Sequence, residues 1–231
     1  MSAIPVPSPQ LQLFLEHFGI AVAAITGVLA ARGKQVDLFG VIVLALVTSF
    51  GGGSVRDLMV GDLPVVWLRS PEYLLNATVT AVLAFFIARV WRLPRQVLLV
   101  ADAFALALFT LIGARKGVLL GFSAPVTILL GVITGVAGGI LRDVLLGEVP
   151  LVFQPKIHLY ATAAMAGAAV FTGLVRGRFA ESIATPIGIG LILALRLGAI
   201  HWRVTLPVYE PREDPAPPPG RPNLNPTHPD L

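Results

Sequence analysis

The chain has 231 residues, with 17 Lys or Arg, 13 Asp or Glu and a formal net charge of +4. Only 13% of it is charged, about half the share of roughly 25% usual in globular proteins, while 55% is hydrophobic and mean hydropathy is +0.81. So few charges cannot cover a water-facing surface, and they gather in short gaps between long apolar runs; this excludes a soluble enzyme, a disordered chain and a coiled coil, and points to an all-α polytopic membrane protein.

Residues 1–10 contain no Lys or Arg, so they lack the charged start of a secretory signal, and the first apolar run reads as a retained span. Seven spans are predicted, near 11–31, 38–60, 72–91, 97–114, 125–146, 157–175 and 182–201. Each is close to the ~20 residues that a bilayer demands. Trp67, Tyr73, Trp91 and Trp202 fall near predicted ends, where interfacial aromatics belong. Pro186 is expected to kink the last span, and Arg196, near its end, to snorkel to the surface. From about Pro207 the chain turns proline-rich and polar, and residues 205–231 read as a disordered tail.

Seven spans place the termini on opposite sides. Arg32, Lys34, Arg89, Arg92, Arg95, Arg142, Lys156 and Arg203 then lie with the C-terminus, eight basic residues against six on the other side: Arg56, Arg69, Arg115, Lys116, Arg176 and Arg178. The positive-inside rule puts the C-terminus in the cytoplasm and the N-terminus outside, as for a protein of a bacterial inner membrane. Because the basic residues flank apolar runs, the sequence pI of about 10.0 is a topology signal rather than a mark of nucleic-acid binding.

The chain repeats itself at an offset of 86 residues. GGGSVRDLMVGDLP at 51–64 matches AGGILRDVLLGEVP at 137–150, and Glu16, Phe18, Gly27 and Thr48 match Asp102, Phe104, Gly113 and Thr134. Each copy covers three spans, residues 11–96 and 97–180, with the seventh helix, 181–204, outside the duplication. An odd number of spans per copy inverts the second copy in the membrane, so the halves are expected to be inverted three-helix repeats.

Both motifs interrupt an apolar span. Leu38 to Phe50 is thirteen residues, about 20 Å of helix against a hydrocarbon core of about 30 Å, so Gly51, Gly52, Gly53 and Ser54 lie inside the membrane, as do Gly138 and Gly139 in the second copy. Adjacent glycines permit a kink or unwound turn whose carbonyls can meet an ion. The same glycines, with Gly131 and Gly135 at four-residue spacing, can instead serve close helix packing. Arg56, Asp57, Arg142 and Asp143 are costly within spans, where such residues face a cavity or a partner. Neighbours on a helix point about 100° apart, so the expected pairs are crossed, Arg56 with Asp143 and Arg142 with Asp57, either beside a pathway or as structural locks. Glu16 and Asp102 are candidate acidic vestibules at opposite faces. Arg115 and Lys116 are candidates for binding anionic lipid headgroups or for gating.

No Ser/His/Asp set, P-loop or dinucleotide fingerprint is present, the four histidines are scattered, and there is no cysteine; no enzyme activity, metal or cofactor is expected.

The doubled Gly-Gly-x-x-Arg-Asp motif with its trailing Gly and Pro resembles that of the prokaryotic trimeric intracellular cation (TRIC) channels, whose bacterial domains are also described as glycine-transporter-like. The resemblance covers about residues 11–201. It implies seven helices in two inverted repeats plus a last helix, a homotrimer with one pore per subunit, conduction of monovalent cations, mainly potassium, and kinks in helices two and five. Carried onto this chain, the kink residues are Gly51, Gly52, Gly53, Gly138 and Gly139, with Arg56, Asp57, Arg142 and Asp143 beside the pore. Ala137 stands where the first copy has Gly51. The Lys-Glu-Val lipid-binding motif of animal members is missing; Arg115-Lys116 falls in its region. Inverted repeats with broken helices are equally a hallmark of secondary transporters, so a carrier of a small zwitterion such as glycine is the alternative.

Overall fold

The structure is a computed structural model and describes residues 9–91, 94–154 and 159–202. These residues form eight α-helices: α1 (Pro9–Ala30), α2 (Leu38–Val60), α3 (Val66–Arg69), α4 (Pro71–Val90), α5 (Arg95–Leu119), α6 (Ala124–Leu145), α7 (Tyr160–Arg176) and α8 (Glu181–Trp202), with a 3-10 turn at Leu151–Phe153. Six are long and apolar enough to cross a membrane: Gln12–Ala30 of α1, then α2, α4, α5, α6 and α8. The sixth expected span falls on α7, which has 17 residues. The four-residue α3 has no counterpart among the expected spans. The expected tail and the first eight residues lie outside the described residues.

Local chemistry sets the helix ends. Asp37 caps α2 by accepting a hydrogen bond from the Gly40 amide at 2.8 Å. Gly61, at φ 70°, closes the same helix in the left-handed conformation that a side chain resists. Gly147, at φ 67°, follows the end of α6 in the same way. Pro71 and Pro125 occupy first-turn positions of α4 and α6, where a missing N–H costs nothing.

The buried apolar residues form two cores. One joins α1, α2 and α4 through Ala24, Ala45, Ala77 and Ala81; the other joins α5, α6, α7 and α8 through Leu106, Val136, Phe171 and Ile192. Alanine dominates both because small side chains let helices approach closely. Large apolar side chains such as Phe39, Leu58, Phe86 and Val144 point outward. Such a surface suits lipid and would be an aggregation hazard in water. The chain is an integral membrane protein.

The two cores meet where α2 crosses α6. Gly52 lies against the Thr134 carbonyl and Gly138 against the Thr48 carbonyl, so closely that a Cβ at either position would overlap the oxygen. The contact is reciprocal at the 86-residue offset. Both helices run through these glycines without interruption, so the expected unwound turn is not there. Gly52 and Gly138 are packing residues, lacking a side chain because the partner backbone fills its place. Gly131 and Gly135 likewise face α5, at Thr110 and Leu106, so this glycine stripe packs helices within the chain rather than between subunits.

Gly52→Ala and Gly138→Ala should each push α2 and α6 apart and destabilise the protein by about 1–3 kcal/mol. Gly53, whose Cβ would have only the Arg56 guanidinium nearby at 3.8 Å, should accept alanine with a gain of about 0.5–1 kcal/mol. Thermal melting of the three purified variants in detergent separates the two behaviours.

Candidate functional site

The motif that repeats in the sequence builds the same local device twice. At the end of α2, the Arg56 guanidinium curls back on its neighbour, with Nε 2.9 Å and Nη2 2.8 Å from Asp57 Oδ1. Asp57 Oδ2 accepts the Val66 amide at 3.1 Å. At the end of α6, Arg142 Nε donates to Asp143 Oδ1 at 2.8 Å and Asp143 Oδ2 accepts the Leu151 amide at 2.9 Å. One carboxylate thus neutralises a buried arginine and also holds the chain that returns after the helix.

The crossed pairs expected from the sequence, Arg56 with Asp143 and Arg142 with Asp57, do not form. The 100° between neighbours separates their Cβ atoms, but the arginine stem is long enough to wrap around the helix. In these buried surroundings the adjacent carboxylate is the nearest compensation. Ser54 accepts a hydrogen bond from Trp67 Nε1 at 3.0 Å. A Cβ on Gly51 would press on Leu141, and one on Gly139 would sit 3.3 Å from the Tyr160 hydroxyl.

Around the second motif lies a buried ion cluster. Arg142 Nη1 donates to Asp102 Oδ1 at 3.1 Å, and Arg196 Nη2 stands 3.8 Å from Asp102 Oδ2. The Arg196 guanidinium also covers the Tyr160 ring at 4.5 Å, a cation–π contact. Arg142 and Arg196 are 0% exposed and Asp102 is 3% exposed, so Arg196 does not snorkel and Asp102 is not a vestibule. Two arginines balance two aspartates, as burial in apolar surroundings demands. The one sequence signal for Arg196 was a lone charge with apolar neighbours on both sides.

The first motif has a different neighbourhood. Glu16 accepts hydrogen bonds from Gln12 Nε2 at 2.8 Å and from the Tyr73 hydroxyl. Tyr73, expected at an interface, is buried.

Three cavities flank the α2–α6 crossing. One of about 220 Å³ is lined by Glu16, Arg56, Asp57, Asp62, Arg115 and Lys116 among others. A smaller one of about 50 Å³ shares Glu16, Arg56 and Val66 with it and reaches Ser49 and Tyr73. A third, about 350 Å³, is lined by Leu29, Arg32, Lys34, Arg95, Asp143 and Glu148 among others. Glu16 and Leu29 are thirteen residues apart on α1, about 20 Å along its axis, so the first and third cavities lie at opposite ends of the bundle. The backbones of α2 and α6 touch between them.

Each cavity rim carries a lysine on a carboxylate of the other half: Lys116 on Asp62, which Arg69 shares, and Lys34 on Glu148. Arg115 is paired with Glu181. The proposed lipid or gating residues Arg115 and Lys116 are thus engaged with carboxylates of the chain. Hydrogen bonds from Arg69 and then Lys116 lower the Asp62 carboxyl from 3.8 to about 2, and Lys34 lowers that of Glu148. No group of three metal-ligating side chains occurs among the described residues.

The chain is similar to known proteins over most of its length. The family model described as "Glycine transporter" matches residues 13–89 and 99–176, one segment in each half. The UPF0126 inner membrane protein YadS of Escherichia coli is 40% identical over 201 residues, covering 86% of this chain and 96% of that protein. A UPF0126 membrane protein of Vibrio cholerae is 40% identical over 200 residues, covering 86% and 83%. Among solved structures, the TRIC trimeric intracellular cation channel orthologue from Rhodobacter sphaeroides matches with a TM-score of 0.80 and 35% identity over 84% of this chain and 100% of that one. The likeness read from the doubled glycine–arginine–aspartate motif is borne out.

Removing one member of a buried pair strands the other. Asp57→Asn should strand Arg56, and Arg196→Met should leave Asp102 short of one positive neighbour. Each should cost about 3–5 kcal/mol, measured as loss of folded material or a lowered melting temperature in detergent. Asp62 behaves differently with pH. Its folded value lies below its ordinary one, so its contribution is complete above about 3.8 and is lost as pH falls through about 2. The melting difference between parent and Asp62→Asn should therefore be flat from pH 8 to pH 5 and vanish only near the acid limit.

Proposed function

The chain belongs to the family described as Glycine transporter, and we propose that within it the protein is a homotrimeric channel for monovalent cations, chiefly potassium, with one pathway in each subunit. The observation that carries the reading is the pair of charged cavities at opposite ends of α1 and α5, on either side of the glycine crossing. Cavities entered from both faces of one subunit are what a passive pathway requires. A carrier would instead hold its substrate near the midplane, on half-helix ends exposed by broken helices. At the α2–α6 crossing both helices are continuous and pressed together. The likeness to a solved TRIC channel at 35% identity supports the cation and the number three.

In this reading α7, about 26 Å long at 1.5 Å per residue, is the remaining membrane crossing, and the two halves are inverted repeats. The reciprocal contact of Gly52 with Thr134 and Gly138 with Thr48 supports a two-fold relation, since such an axis makes a contact of this kind twice. The membrane is the bacterial inner membrane, with the N-terminus outside and the C-terminus cytoplasmic.

The test is purified protein in a planar bilayer under a KCl gradient. Unitary currents with a cation-selective reversal potential are the expected outcome, together with a trimer mass by detergent-corrected light scattering. Saturable, electrically silent glycine exchange without unitary currents would replace the channel by the carrier that the family description names.

A further inference from the structure

The two halves of the chain are not electrically equivalent, and the difference sits where the cavities meet. In the second half, Asp102 and Asp143 are matched by Arg142 and Arg196. In the first half the corresponding groups are Glu16, Asp57 and Arg56. Arg56 is committed to Asp57 through both Nε and Nη2. The second arginine of the other cluster comes from α8, which lies outside the duplication, so the first half has no counterpart to Arg196. Glu16 is left with hydrogen bonds from Gln12 and Tyr73, and among the described residues no cationic side chain stands within ion-pair distance of it.

Its position gives that imbalance a use. Glu16 lines both the 220 Å³ cavity, which opens at the rim bearing Asp62 and Lys116, and the smaller cavity beneath it, which reaches Ser49 and Tyr73. Glu16, Arg56, Val66 and Ile112 are common to both walls, so Glu16 stands beside an ion at the boundary between them. The other cations lining the larger cavity are engaged elsewhere, Arg115 with Glu181 and both Arg69 and Lys116 with Asp62.

Resting on the channel reading above, we propose that Glu16 is the selectivity-setting carboxylate of the pathway, attracting a partly hydrated monovalent cation at the neck between the two cavities while the Tyr73 hydroxyl holds it in place. A carboxylate beside the already paired Arg56 and Asp57 favours cations over anions without trapping them. Release matters as much as capture in a conducting site. Asp102, its counterpart in the repeat, has the same sign but is neutralised, and so serves the fold.

The experiment compares the parent with Glu16→Gln and Tyr73→Phe in bilayers under a KCl gradient. Glu16→Gln should lower the cation-to-anion permeability ratio roughly fivefold, as removal of one partly screened charge would, while the protein still elutes as the parent does. Tyr73→Phe should lower the ratio by a smaller factor, and it decides the matter if Glu16→Gln does not fold. A conducting parent whose ratio is unchanged in the variants overturns the inference and leaves the channel standing. A second readout does not require current. Trp67 lies beside Phe50, a wall residue of the smaller cavity. Its fluorescence and the melting temperature should respond when KCl replaces N-methylglucamine chloride at constant ionic strength, and Glu16→Gln should abolish the response. A silent parent that keeps this Glu16-dependent response refutes the channel but not the cation site, whereas a response that survives Glu16→Gln refutes the site.

Discussion

A guanidinium placed among apolar helices has to have a carboxylate within reach, and much of this molecule is arranged around that requirement. Arg56, Arg142 and Arg196 are all buried, and Asp57, Asp102 and Asp143 are buried with them. Asp57 and Asp143 each have two oxygens to use. One goes to the neighbouring arginine, and the other to the amide of Val66 or Leu151 on the far side of the loop. That second bond explains the spacing of the motif. A glycine four residues after each aspartate turns the chain out of the helix, and a proline three residues later directs it back toward the carboxylate. Arginine, aspartate, glycine and proline therefore form one helix-terminating device, used once in each half.

The same requirement explains which parts of the structure were legible in the sequence. Apolar run length marked the long helices to within five residues at each end, because a bilayer sets that length from outside. The duplication was legible because its residue types are uncommon. The partners of the arginines were not. Angular position on a helix describes where a Cβ points, and Arg56 and Arg142 reach their neighbours with side chains several bonds longer. Arg196 sits six residues before the end of α8, close enough to snorkel, and only its meeting with Asp102 and Tyr160 shows that it turns inward. The glycines were legible as special, but their close contact was not. That contact depends on the Thr134 and Thr48 carbonyls, which come from the opposite half of the chain. Helix α3 is too short for any periodicity to announce it.

Strong and weak contacts are distributed unevenly across the bundle, and this bears on how such a molecule can move. At the centre, α2 and α6 are in backbone contact through glycine, and interiors packed in this way resist small displacements. The ion pairs next to the crossing are buried, and breaking one costs several kcal/mol. At the rims, Lys34 with Glu148 and Lys116 with Asp62 are partly exposed, where an ion pair is worth about 0–1 kcal/mol. Separation of the two halves is therefore cheapest at the cavity mouths and most expensive at the crossing. A carrier that rocks one half against the other has to disturb the expensive region in every cycle. A pathway that widens at its mouths while the crossing stays fixed disturbs only the cheap one, and that ordering of costs favours conduction beside α2 and α6 over alternating access between them.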